Sequence, residues 1–233
     1  MTAATPGGPP PAPAEADRLA EQLRGFGPLG ILSFFLIALG NFVFLPLSAI
    51  FVLMWAKRSR TPWRDIGYVR PRNWVTTAVA ATALGVALKL ALKILVMPLL
   101  GADPVNHAYH YLARNPAAIP ATLYLLVVGA GFGEETVYRG YLFERFGRLL
   151  GEGAIAKAAT VILTTLLFGA AHYREQGLAG AQQAVITGLV FGSIFASTGR
   201  IAFVMIAHAA FDLTAYWIIY HDLEAHLAHL VIR

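Results

Sequence analysis

The sequence predicts an all-α, polytopic bundle of transmembrane helices with about six membrane spans. Three observations predict it. Of 233 residues, 57% are hydrophobic and only 13% charged, against roughly 45–50% and about 25% in soluble domains, so charge is too scarce to coat a water-facing surface. Mean hydropathy is +0.60. Apolar runs recur near the ~20 residues that a helix needs to cross a bilayer.

Residues 1–14 are dominated by Pro, Ala and Gly, offer nothing to bury and read as a disordered tail. Residues 15–27 are polar and interfacial, so 1–28 precede a membrane domain of 29–220, and 221–233 form a second interfacial tail. No cleavable signal peptide is expected, because no basic segment followed by an apolar run opens the sequence. Spans are expected at 29–55, 74–100, 119–144, 155–172, 182–198 and 201–220, with room for interfacial or re-entrant helices besides. Pro46 marks a kink or a re-entrant break in the first. The third is apolar only over 119–132 before it meets Glu134, Glu135 and Arg139. The fourth and fifth are short and share a polar turn at 173–180. Trp55, Trp63, Trp74, Tyr216, Trp217 and Tyr220 fall at span ends, as an aromatic belt does.

Basic residues set the orientation. Lys57, Arg58, Arg60, Arg64, Arg70 and Arg72 crowd one loop, which belongs in the cytoplasm. Alternation then puts Arg145, Arg148, Lys157 and Arg200 inside and Arg18, Arg24, Arg114, Arg174 and Arg233 outside, an even number of crossings with both ends outside. The chain is expected to be a multi-pass integral protein of the cell membrane. The formal charge of +5 fits this bias. Nucleic-acid binding is not expected, since no basic stripe with interleaved aromatics occurs. Without cysteine there is no disulfide, thiolate metal site or cysteine nucleophile.

Ionisable groups at membrane depth cost about 2.5–3.5 kcal/mol or more each, so those that occur need a reason. In GEETVYRG, residues 133–140, Glu135 and Arg139 are i and i+4, acid first, the favourable order for an ion pair. Glu134 points about 100° away on an α-helix and is free to serve something else. The alternative is a helix emerging into water, where all three are solvated. Phe168 and His172 share a helix face in LLFGAAHY; a histidine there is a satisfied or interfacial residue, or a ligand. His208 and Asp212 are i and i+4 in an otherwise apolar span. They are a self-contained hydrogen-bonded pair, or a pair projecting into a cavity. A Glu with imidazoles in a water-restricted pocket suits water activation, directly as a base or through a metal-bound water.

Together these elements resemble the CAAX-protease and bacteriocin-processing family of intramembrane peptidases. E-E-x-x-x-R is matched by Glu134, Glu135 and Arg139, F-x-x-x-H by Phe168 and His172, and H-x-x-x-N/D by His208 and Asp212, within about residues 120–215. The motif-bearing half is taken as 119–215. The resemblance implies an intramembrane endopeptidase acting on membrane-anchored peptides or proteins. Glu134 and His172 would activate water, and His208 and Asp212 would stabilise the oxyanion or help bind a metal. Glu135, Arg139 and Phe168 would position the motifs. It also implies either one divalent metal such as zinc, held by Glu134, His172 and His208, or a metal-free glutamate mechanism. The competing functions are a proton-coupled transporter, which also needs buried acids and histidines, and a non-catalytic immunity or partner protein on the same fold.

Other polar residues are weaker signals. Lys89 and Lys93 are i and i+4 in the second span; Lys93 reads as a snorkelling residue and Lys89 as one that faces the cavity or pairs with an acid, without a catalytic role. His107 and His110 read as loop residues, and His226 and His229 as interfacial. One conflict stands: the assumed spans put His172 near an outer end and Glu134 about 22 Å deep. Short fourth and fifth spans, misplaced span ends or a water-filled cavity would resolve it.

Overall fold

The computed structural model describes residues 15–231; the expected tail at 1–14 lies outside the described residues. It is helical, with no strand among the described residues. The helices are α1 (Glu15–Arg24), α2 (Pro28–Gly40), α3 (Leu47–Arg58), α4 (Trp74–Leu99), α5 (Pro116–Leu150), α6 (Ala154–Thr198), α7 (Ile201–Tyr220) and α8 (Glu224–Ala228). Of these, α4, α5, α6 and α7 are long and apolar enough to cross a membrane. Large apolar side chains such as Val79, Leu99, Ile155 and Leu166 stay exposed on them, as a lipid-facing surface requires.

The first expected span is not one crossing. It divides into α2 and α3, of 13 and 12 residues, each shorter than the ~20 residues a crossing needs. The chain reverses over 41–46, where Asn41 N donates to Ser48 Oγ at 2.9 Å and Ser48 N to Asn41 Oδ1 at 3.0 Å. Asn and Ser side chains that cap neighbouring backbone favour such reversals. Trp55 Nε1 then donates to Leu23 O at 3.0 Å, and Arg60 pairs with Asp17. So α1 sits at the same end of the bundle as the basic loop. This corrects the alternation. Arg18 and Arg24 join the basic end, and among the described residues Arg114 and Arg174 remain at the other.

The fourth and fifth spans are two arms of α6. Gly177, at φ 64° and ψ −161°, breaks the helix, a conformation that a residue without Cβ adopts readily. Arms 154–176 and 178–198 fold back on each other, with Gly169 against Val185, Gly188 against Thr165 and Gly192 against Val161. Small residues at these crossings let helix backbones approach closely. The expected polar turn thus narrows to one residue.

Two apolar clusters organise the bundle. One joins α4, α6 and α7 through Ala81, Leu92, Phe191, Val204, Ala207 and Phe211. The other joins α2, α3 and α5 through Ile37, Val52, Trp55, Tyr141 and Leu142. At its inner end, Arg145 donates to Arg24 O at 2.6 Å and stacks over Phe26 and Trp55. The motif-bearing part of α5 lies between the clusters. It is wound with i→i+5 hydrogen bonding over Leu125–Glu134 and Thr136–Leu142, a geometry frequent at functional sites.

Candidate active site

The site is built where α5, α6 and α7 meet. Glu135 is completely buried, and its Oε1 receives two donors: Arg139 Nη1 at 2.7 Å along the same helix and His208 Nδ1 at 2.7 Å from α7. The i, i+4 ion pair is as expected; the imidazole on the same oxygen is not legible from spacing. With Nδ1–H donated to Glu135, the other ring nitrogen of His208 is turned toward the remaining acids. His208 Nε2 lies 3.5 Å from Asp212 Oδ2 and 3.9 Å from Glu134 Oε2.

The acids differ in access. The side chains of Glu134 and Asp212 are 25% and 22% exposed, whereas His208 retains 6% and Glu135 none. Glu134 Oε2 is buried without a hydrogen-bond partner. An unsatisfied buried carboxylate oxygen is costly, and separations above 3.5 Å are those at which a bridging water is to be sought.

His172 is oriented by its own helix. Its Nδ1 donates to Phe168 O at 2.8 Å, which leaves Nε2 as the acceptor. Phe168 is 1% exposed and serves as the hub of the site. Its ring lies 4.4 Å from His172, 5.9 Å from His208 and 4.9 Å from Tyr138, and the Arg139 guanidinium stacks on it at 4.8 Å. His172 is within electrostatic range of both Glu134 and Asp212.

The depth conflict is thereby resolved. Phe168 contacts His208 directly, so the α6 arm and α7 share a level there. From that level the arm continues only to Gln176, about 12 Å of helix, while α7 continues to Tyr220, about 18 Å. The hairpin tip is recessed, and the loop between α4 and α5 settles on it through Tyr109, whose hydroxyl accepts from Gln176 Nε2 at 3.2 Å. Burial, then the charges of Glu175, Asp212 and Glu134, push the Tyr109 phenol up to about 12, so it remains a neutral donor at physiological pH.

The structure therefore brings Glu134, Glu135, Arg139, Phe168, His172, His208 and Asp212 to one place. Sequence reasoning missed Phe191, whose ring lies 5.6 Å from His208, and Gln183, a polar residue in an apolar arm. Glu134, His172 and His208 are the residues that would hold a metal; among the described residues no three or more His, Cys, Asp or Glu side chains are already gathered as a metal-holding group.

Fold and site define the class, a polytopic helical membrane protein with an acid–imidazole cluster buried between its helices. Residues 116–214 match the family model described as type II CAAX prenyl endopeptidase Rce1-like, a segment that holds all three motifs. That segment is similar to the CAAX-protease and bacteriocin-processing family, and the likeness supports a protease function. No curated protein and no solved structure matches the chain.

Proposed function

We propose that the chain is an intramembrane endopeptidase that hydrolyses peptide bonds of membrane-associated substrates with a water activated by Glu134. The observation that carries the reading is the placement of His208 Nε2 between two partly open carboxylates, 3.5 and 3.9 Å away.

Glu134, with His172 to assist, takes a proton from the water as its oxygen attacks the carbonyl carbon. The carbonyl oxygen becomes an oxyanion. His208, protonated on Nε2, donates to it, and a donor held in place before the reaction is worth about 10²–10³ in rate. Asp212 and Glu135 keep the ring oriented. The tetrahedral adduct collapses as Glu134 returns its proton to the departing amine nitrogen, leaving a new carboxylate and a new amine. Phe168 holds both imidazoles, and burial of Glu135 and Arg139 keeps competing solvent from the pair.

Cleavage of membrane-anchored peptides by the detergent-purified protein, with Glu134→Ala beside the wild type, tests this. Loss of cleavage in the variant is expected; cleavage at the full rate without Glu134 removes the mechanism.

A further inference from the structure

We propose that Tyr109, in the loop between α4 and α5, binds the peptide at the outer end of this site, and that Glu224 of α8 is the positioning residue that holds Tyr109 there. The proposal rests on the peptidase reading above and concerns residues outside the matched segment 116–214.

Glu224, at the first position of α8, is 2% exposed. Both of its carboxylate oxygens are engaged by the loop: Oε1 receives Asn106 N–H at 2.8 Å and Oε2 receives His110 Nδ1–H at 3.2 Å. Tyr109 lies in the turn between those two anchors, its N–H donating to Asn106 O at 3.0 Å. Lys93 of α4 adds a cation to the clamp, 4.0 Å from Glu224 Oε1 and bonded to Pro104 O of the same loop. The far end of the loop is tied to the end of α7, where Arg114 N donates to Tyr220 O at 3.0 Å. A buried carboxylate is retained where hydrogen bonds and a cation offset its desolvation. Here those partners are the loop itself and the lysine that also holds it.

The clamp sets Tyr109 on the site. Its hydroxyl accepts from Gln176 Nε2 at 3.2 Å, and Gln176 is i+4 from His172 on the same arm of α6, one turn along the same face. Gln176 is itself pressed onto the hairpin tip: a Cβ at Gly180 would stand 2.1 Å from Gln176 Cβ. Phe168, His172, Gln176 and Tyr109 thus form a column that runs outward from the imidazole cluster. A phenol both donates and accepts. Tyr109 accepts from Gln176, and among the described residues nothing takes its own hydrogen. A half-buried hydroxyl with a free hydrogen, one turn beyond the histidine that assists Glu134, suits a carbonyl oxygen of a peptide lying across the site.

Equilibrium binding and cleavage of an acyl-anchored, dye-labelled peptide by the full chain test this. Tyr109→Phe removes the free hydrogen and is expected to weaken binding and raise KM about three- to tenfold, with kcat changed less than about twofold. Glu224→Ala should weaken binding by a similar factor, and Glu224→Gln, which keeps an acceptor for Asn106, should recover most of the loss. In a Tyr109→Phe background Glu224→Ala should add less than about twofold. His107→Ala, in the same loop but paired with exposed Asp103, should change neither constant. The chain has no cysteine, so a Tyr109→Cys variant can be labelled with a water-soluble thiol reagent, and adding Glu224→Ala should speed its labelling several times as the loop is released. Absence of peptide binding, an unchanged KM in Tyr109→Phe, additive losses or an unchanged labelling rate overturn the proposal. So does a Glu224→Ala loss that follows a lowered unfolding midpoint and is not recovered by Glu224→Gln. Glu134→Gln, run in parallel, reports on the peptidase mechanism by itself: cleavage that survives it sinks that mechanism, while non-additive Tyr109 and Glu224 effects on binding leave the clamp standing.

Discussion

His208 Nδ1 stands 2.7 Å from Glu135 Oε1, the oxygen that also receives Arg139. The two adjacent glutamates of α5 therefore have separate tasks. Glu135 is spent on fixing a histidine from another helix and is closed to solvent. Glu134 keeps a quarter of its side chain open; each glutamate has one buried oxygen without a hydrogen-bond partner.

Glu134→Gln and Glu135→Gln should accordingly fail differently. Glu134→Gln is expected to lose cleavage by about 10²–10⁴-fold at an unchanged unfolding midpoint. Glu135→Gln leaves Arg139 without its buried counter-charge, a loss of about 3–5 kcal/mol, so activity and midpoint should fall together. Equal midpoints for the two variants would contradict the division of labour.

Phe168→Ala removes the ring under both imidazoles and the Arg139 guanidinium. A buried Phe→Ala change costs about 3–5 kcal/mol. Phe168→Leu fills most of the volume, and should recover stability more fully than kcat because the flat stacking surface for His172 and Arg139 is not restored. Thermal unfolding and steady-state kinetics on the pair measure this; full recovery of kcat would reduce Phe168 to a space filler.

Gly85→Ala should destabilise the bundle by about 1–3 kcal/mol or more, since the new methyl meets the backbone of α7 rather than a movable side chain. Gly147→Ala on α5 is the control. Nothing lies within 4 Å of a Cβ there, and Ala in place of a helical Gly stabilises by roughly 0.5–1 kcal/mol. Opposite shifts of the unfolding midpoint are expected.

The α2–α3 hairpin makes a prediction about sidedness. The chain has no cysteine, so single Asp17→Cys, Arg64→Cys and Arg174→Cys variants can be labelled with a membrane-impermeant thiol reagent. Residues 17 and 64 should react from one side of sealed vesicles and residue 174 from the other. Labelling of 17 and 64 from opposite sides would restore a full crossing at 29–55.

Much of the candidate site was legible in the sequence because its members violate the rules of their surroundings. Acids, histidines and an arginine in apolar runs are costly, and i, i+4 spacing on a helix says which of them share a face. That reasoning reached Glu135–Arg139 and His208–Asp212, but it could not cross from one helix to another. It therefore missed Glu135–His208, and although it expected Lys89 to face the cavity or pair with an acid, it could not name Gln183, more than ninety residues away along the chain, as the partner. The first span failed for a related reason. Hydropathy measures how apolar 29–55 is, and a re-entrant hairpin is as apolar as a crossing.

By itself, then, the sequence determined the solvent, the helical class, the basic end of the bundle and most of the polar residues gathered at the site, since each follows from transfer cost or from the 3.6-residue period. Tertiary structure alone decided which partner each polar atom takes, that the expected turn between the two arms of α6 narrows to Gly177, and that α1 returns to the basic loop. Those outcomes depend on close approaches between helices, such as Gly85 on α7, and a one-dimensional pattern carries no distance between helices.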